Sequence, residues 1–117
     1  MPYVDGFVTP VKKDARDAYE TSARRFATIM KDYGALRIVE CWADDVPDGV
    51  VTSFRLAVKL EPDEVVVFSW IEWPSREVRD VGMKASWEDP RMEKDPANFP
   101  FDGKRMIYGG FASILDT

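Results

Sequence analysis

The sequence predicts an α+β fold with one antiparallel sheet of four strands and two helices packed against it. Two observations lead to this prediction. Apolar side chains recur at helical spacing in two segments, and four other segments are rich in β-branched and aromatic residues. The chain has 117 residues, the size of one domain, and 45% of them are hydrophobic. Residues 1–117 are therefore expected to form a single domain with its own core.

The first half of the chain predicts a strand, a long helix and a second strand. Residues 3–9 are mostly β-branched or aromatic, and Pro10 is expected to end this strand. Apolar residues repeat every three or four positions over residues 12–33, which predicts a helix. Gly34 stands where a glycine commonly ends a helix. Residues 35–43 predict the second strand.

The second half predicts a strand, a helix and a last strand after one ambiguous segment. Residues 53–60 fit either an edge strand, because apolar residues alternate, or a short helix with Ser53 as its N-cap. Residues 64–73 give the strongest strand pattern of the chain, since they are almost continuously apolar. A helix is expected over residues 76–88 and the last strand over residues 104–115.

The predicted order of strand, helix, strand, strand, helix, strand is that of the ferredoxin-like fold, in which both helices cover one sheet face. The other face would then meet water. Alternate positions of residues 64–73 and of residues 104–115 are nevertheless apolar on both faces. An apolar face without helices requires another cover, and a second copy of the chain is the simplest one. The sequence therefore predicts a homodimer.

Composition excludes several classes of function. Lys and Arg number 16 against 21 Asp and Glu, a net charge of −5, so no nucleic-acid partner is expected. The absence of histidine and the single cysteine predict no metal site and no cofactor of the haem type. No apolar run approaches the roughly 20 residues of a membrane span. With no secretion signal at the N-terminus, a cytoplasmic protein is expected.

Charged residues on otherwise apolar strands are the first candidates for a site. Asp5 and Glu40 each share a strand face with apolar residues, and a buried carboxylate could act as a base. Arg37 and Arg105 could then bind an anionic group. The alternative is a buried structural ion pair, for instance Asp5 or Glu40 with Arg105.

Aromatic residues are the second set of candidates. Trp42, Trp70 and Trp73 could form the walls of a pocket for a flat organic molecule, or could simply be core. Tyr108 precedes two glycines and could donate a phenolic proton, although a β-bulge with a packed tyrosine explains the same pattern. Cys41 has no histidine to activate it and is expected to be an inert thiol in the core.

Several motifs spread over nearly the whole chain resemble those of the YbaA-like family of bacterial proteins of unknown function. They are Tyr3-Val4-Asp5-Gly6-Phe7-Val8, Asp44-Asp45-Val46-Pro47, Val67-Phe68-Ser69-Trp70-Ile71, Trp73-Pro74-Ser75, Asp89-Pro90-Arg91-Met92 and the long segment from Pro100 to Phe111. The resemblance implies a dimeric α/β barrel, in which two ferredoxin-like protomers bring their sheets together. It implies no catalytic residue, because the family has no established activity.

Two hypotheses of function remain open at this point. The chain could bind or transform a small organic molecule in a pocket between the sheet and the helices, with Asp5 or Glu40 as base. Alternatively it could be a non-catalytic structural, stress-related or regulatory dimer whose carboxylates are paired. Whether it is an enzyme is left undecided.

Overall fold

The protein is described by a computed structural model that covers residues 2–117. Its elements follow in the order β1 (Tyr3–Lys12), α1 (Arg16–Asp32), β2 (Arg37–Trp42), α2 (Phe54–Ala57), β3 (Glu64–Trp73), α3 (Arg76–Trp87) and β4 (Ile107–Ala112). Short 3₁₀ turns at Lys13–Ala15 and Pro96–Asn98 lie between them. The four strands form one sheet in the order β2-β3-β1-β4, and every neighbouring pair is antiparallel. The predicted ferredoxin-like fold is confirmed.

Two helices lie on one face of this sheet, and their contacts form the core. Ile29 and Met30 of α1 pack against Ile71 and Trp73 of β3, and each of the four is at most 1% exposed. The long dimensions of the chain are 38 and 35 Å, but it is only 20 Å thick. That thickness corresponds to one sheet and one layer of helices. The opposite face of the sheet therefore has no second layer.

The two faces are defined by strand parity. The helix face carries Tyr3, Asp5 and Phe7 of β1, Ile38, Glu40 and Trp42 of β2, Ser69, Ile71 and Trp73 of β3, and Tyr108 and Gly110 of β4. The open face carries Val4, Gly6 and Val8 of β1, Arg37, Val39 and Cys41 of β2, Phe68, Trp70 and Glu72 of β3, and Ile107, Gly109 and Phe111 of β4.

Helix α3 lies close to the sheet because Gly82 has no side chain. A Cβ atom at this position would lie 2.8 Å from the Trp73 ring and in collision with the Tyr33 carbonyl oxygen. The helix begins after Ser75, whose hydroxyl accepts a hydrogen bond from the backbone N–H of Val78 at 3.2 Å. Local capping chemistry thus sets where the helix starts, and one glycine sets how near it packs.

The structure shows the ambiguous segment as a short helix and corrects the bounds of three strands. The Ser53 hydroxyl caps α2, as the helical alternative required. Strand β1 continues past Pro10 to Lys12. Its pairing with β4, however, ends at Val8. Beyond that point β1 has a neighbour on one side only, and an edge position tolerates the missing N–H of proline.

The other two corrected strands are shorter than predicted. Strand β2 was expected over residues 35–43 and spans Arg37–Trp42. Strand β4 was expected over residues 104–115 and spans Ile107–Ala112. Its last residue pairs with Tyr3, the first residue of β1, and beyond it only the backbone N–H of Ser113 donates to the Pro2 carbonyl, at 3.4 Å.

Candidate functional site

Asp5 lies under α3 and is held in an ion pair. The residue is 3% exposed, and its carboxylate accepts hydrogen bonds from Nη2 of Arg79 at 2.7 Å and from Nε of Arg79 at 3.1 Å. The indole N–H of Trp73 donates to the same carboxylate at 2.9 Å. Asp5 is therefore paired, but with Arg79 rather than with Arg37 or Arg105. Its lone pairs are engaged by donors, which favours the structural alternative over a catalytic base.

Gly110 makes room for this ion pair. A Cβ atom at Gly110 would lie 2.9 Å from Nη2 of Arg79 and would collide with the Tyr3 hydroxyl. The Arg79 guanidinium also lies over the Tyr3 ring, 5.2 Å from its centroid. Residues 108–110 keep regular pairing with Phe7, Gly6 and Asp5, so the expected β-bulge is absent at these positions. The glycine serves close packing instead.

Glu40 lies beside α1 at the β2 edge of the sheet. The Tyr19 hydroxyl donates to its Oε1 atom at 2.6 Å. Burial of the carboxylate raises the pKa of Glu40, although the hydrogen bonds from Tyr19 and Ser69 act in the opposite direction. Burial, together with the nearby Glu40 carboxylate, raises the pKa of Tyr19 as well. This pair keeps a neutral phenol next to a carboxylate.

Arg105, in the loop before β4, binds Glu64, the first residue of β3. Its guanidinium donates to both carboxylate oxygens of Glu64, each at 2.7 Å, and to Asp102 at 2.8 Å. It also donates to the backbone carbonyl of Lys59 at 3.0 Å. The Arg105 guanidinium holds the pKa of the Glu64 carboxyl below its usual range. The expected pairing of Arg105 with Asp5 or Glu40 is wrong, because Arg105 lies before β4 and reaches Glu64 instead.

The three strand tryptophans do not form the walls of one pocket. Trp73 is fully buried on the helix face, and Trp42 is half-buried on that face with the Arg16 guanidinium 5.2 Å from its ring centroid. Trp70 lies on the open face, where its indole N–H donates to Glu72 at 2.9 Å. Trp70 and Trp73 lie on opposite faces of the sheet because they are an odd number of residues apart on β3.

A concavity of about 800 Å³ lies on the open face. The space expected between sheet and helices is instead filled at its centre by the core residues described above. The floor of the concavity includes Gly6 and Gly109, which are directly opposite each other in β1 and β4. The Phe111 ring lies against both, 3.7 Å from a Cβ built on Gly6 and 3.5 Å from one built on Gly109. Two adjacent residues without side chains thus create the depression.

Most of the concavity is apolar, and its charged groups are few. Val4, Val8, Phe68, Ile107 and Phe111 are among its lining residues. Of the residues that the structure describes, three with charged side chains also line it, namely Arg37, Glu72 and Asp116.

Two other candidates lie at or near the open face. Tyr108 borders the concavity, stacks on Phe7 with 6.3 Å between ring centroids, and is 73% exposed rather than packed. Cys41 is exposed on the open face, so the expectation of a core thiol is wrong. The neighbours of Cys41 on its own face lie opposite α1 and α3, on the side of the sheet that only the short helix α2 contacts, through Phe54 and Phe68.

Arg79, Tyr19, Glu64 and Glu72 were not singled out by sequence reasoning. Glu72 alone had a local signal, since it shares a strand face with Phe68 and Trp70. Among residues 2–117, no group of three or more His, Cys, Asp or Glu side chains is placed to hold a metal ion. Within the same residues, no helix has the length and apolarity needed to cross a membrane.

Comparison with known proteins identifies relatives and a structural neighbour. The uncharacterised protein YbaA of Escherichia coli K12 is 61% identical over 116 residues, which cover 99% of each chain. The same identity and coverage are found for YbaA of Shigella flexneri. A dimeric ferredoxin-like protein from an uncultured marine organism aligns over 100% of both chains with a TM-score of 0.59 and 13% identity, a likeness of fold. Residues 2–103 match the family described as "Protein of unknown function (DUF1428)", and the chain belongs to that family.

Proposed function

We propose that this chain is a cytoplasmic, single-domain homodimer that binds a small organic molecule between two apposed open faces. The observation that carries the proposal is the open face itself. Phe111 is 63% exposed, Ile107 45% and Phe68 44%, and all three lie around one concavity. Exposed apolar residues that are contiguous, rather than scattered, are typical of an interaction surface.

The size of the open face fits a second copy of the chain. The strands have 10, 6, 10 and 6 residues, so at about 3.3 Å per residue and 4.8 Å between strands the face offers about 500 Å² in projection. A standard interface buries about 800 Å² on each partner. Exposed apolar residues outside the sheet would supply the difference: Val50 and Val51 are 98% and 93% exposed, and Ile114 and Leu115 are 96% and 77% exposed.

Apposition of two such faces leaves space for a ligand. If the twofold axis of the dimer passes near the concavity, one concavity faces the other and neither can fill the other. The enclosed space would be lined mainly by apolar side chains, with polar groups at few points, as small-molecule sites are. The structural neighbour is named a dimeric protein, which agrees with a dimer of this chain.

The alternative of a non-catalytic structural dimer has its own support. The buried carboxylates of Asp5 and Glu64 are each held by an arginine. Among residues 2–117, no buried side-chain nitrogen or oxygen lacks a hydrogen-bond partner. Asp5 and Glu64 are thus structural, and our proposal includes binding but no catalysed reaction.

Assembly is tested by sedimentation of the wild type and two variants. The wild type should have twice the chain mass of 13.4 kDa at micromolar concentration. Phe111→Asp would bury an unpaired charge in the interface and should give monomers. Val81→Asp is the matched control, because Val81 is 71% exposed on α3, away from the open face. A monomeric wild type would refute the dimer.

The single cysteine gives an independent measure of the same surface. Cys41 lies on the open face, so a second copy should protect it from a thiol reagent. The labelling rate should rise in Phe111→Asp and stay unchanged in Val81→Asp.

Ligand binding is tested by a thermal-shift screen of small organic molecules, since a ligand at 100 times its Kd adds about 2.7 kcal/mol of stability. The absence of any stabilising compound would refute the binding role.

A further inference from the structure

We propose that the concavity of the open face takes an organic cation, an aromatic or aliphatic amine whose ammonium group binds Glu72. This inference rests on the proposed function, because it names the ligand class for the same concavity. Three features of the lining carry it: the orientation of the Glu72 carboxylate, the balance of charge, and the aromatic rings beside that carboxylate.

The Glu72 carboxylate is held with one oxygen available. The Trp70 indole N–H donates to Oε2 of Glu72 at 2.9 Å, and the guanidinium of Arg37 lies 3.6 Å from the same oxygen. Among residues 2–117, no hydrogen bond is made to the other oxygen, Oε1. Glu72 is on a central strand and its side chain is 31% exposed. A fixed carboxylate with free lone pairs accepts hydrogen bonds from a donor such as an ammonium group.

The charge balance of the concavity favours a cation. Among residues 2–117, the charged side chains that line it are one cation, Arg37, and two anions, Glu72 and Asp116. Arg37 is 65% exposed and meets Glu72 only at the long distance given above, so solvent weakens this pair. The whole chain also carries a net charge of −5. A positively charged ligand would bring the lining to neutrality, whereas an anion would increase the repulsion.

Aromatic faces complete the site. Phe68 and Trp70 pack with 5.9 Å between their ring centroids, and Phe111 lies over the glycine floor. An organic cation near the face of a tryptophan is attracted by the ring quadrupole, and tryptophan is the strongest of the aromatic residues in this respect. The apolar part of the ligand would contact Val4 and Ile107. Carboxylate, rings and apolar floor thus match an amphipathic amine.

Three probes that share a skeleton test the ligand class: phenylethylamine, phenylethanol and phenylpropionate. Their binding to the wild-type protein is measured by calorimetry and by tryptophan fluorescence at millimolar concentration. We expect the amine to bind about tenfold or more tightly than the alcohol, the range of one hydrogen bond to a charged group. We expect the carboxylate to bind more weakly than the alcohol.

Glu72→Gln is the decisive variant, because glutamine keeps the shape and an acceptor for Trp70. It should abolish the preference for the amine over the alcohol and sediment as the wild type does. Glu77→Gln on α3 is the matched control and should change none of these. Dissociation of Glu72→Gln into monomers would show that Glu72 belongs to the dimer contact and would overturn the assignment.

The remaining outcomes separate the two proposals. Equal binding of amine and alcohol would overturn the cation site and leave the small-molecule role intact. Tighter binding of phenylpropionate would overturn it too, in favour of Arg37 as the recognition group. If none of the three probes binds and the wider screen also finds no ligand, the binding role itself fails along with the inference.

Discussion

Replacing Arg79 by methionine leaves the Asp5 carboxylate buried without a cation. Removing one partner of a buried ion pair costs about 3–5 kcal/mol. The Arg79 side chain is 24% exposed, so solvent already screens part of the interaction, and we expect a loss of about 2–4 kcal/mol. A chain of this length has a free energy of unfolding of roughly 6–18 kcal/mol. The variant should therefore fold, but with clearly lower stability.

The assay is urea unfolding at one fixed protein concentration, because a dimer links stability to concentration. For a slope of roughly 2 kcal/mol per molar urea, the midpoint should fall by about 1–2 M. Arg76→Met is the matched control on the same helix. Arg76 is 69% exposed and its Nε lies 3.6 Å from the Asp80 carboxylate, so its loss should cost about 0.5 kcal/mol or less.

A double-mutant cycle isolates the pair itself. Asp5→Asn keeps an acceptor for the Trp73 indole N–H and removes the charge that Arg79 binds. If the ion pair is the source of stability, the double variant should be more stable than the sum of the two single losses predicts. A coupling energy near zero, or an Arg79→Met loss no larger than that of Arg76→Met, would refute the reasoning.

Three further predictions concern pH and packing. Arg105 lowers the pKa of Glu64 below its ordinary value of 4.5. The ion pair therefore stabilises the fold above pH 4.5, and this stabilisation is lost as the pH falls through the lower pKa of the folded state. Arg105→Met should flatten the acid side of a curve of stability against pH. Burial raises the pKa of Glu40, so the charged form lowers the stability of the fold once the pH rises above 4.5. Glu40→Gln should therefore leave the thermal stability unchanged or raise it at about pH 7. Any gain in stability should disappear near about pH 4. Gly82→Ala should destabilise by about 1–3 kcal/mol in urea, although alanine favours helices, because its Cβ would meet the Trp73 ring; an unchanged or higher midpoint would contradict the close packing of α3.

Elements with strong local chemistry were predictable from the sequence. Strand β3 has the bounds expected from its apolar run, and α3 begins where the Ser75 hydroxyl can cap it. The segment after Ser53 was left open, because its alternation fits a strand and its cap fits a helix. Tertiary packing decided for the helix, whose Phe54 ring packs at 5.8 Å against Phe68 of the open face.

The charged partners were not predictable in the same way. Asp5 and Arg79 are 74 positions apart, and Glu64 and Arg105 are 41 apart. Two partners at such separation meet only through the packing of whole elements, and no spacing rule connects them. The position of the concavity also depends on the packing of whole elements. The spacing of Trp42, Trp70 and Trp73 therefore did not indicate which sheet face would have it.

The sequence by itself determined the order of the four strands and the two long helices, and the presence of an apolar sheet face that these two helices do not cover. Helical period and strand parity are local properties, and each requires only a few neighbouring residues. Only the tertiary structure decided that Arg79 binds Asp5, that Cys41 is exposed, and that the concavity lies on the open face. These depend on strand order and on the distance at which a helix packs, which are set by all elements together.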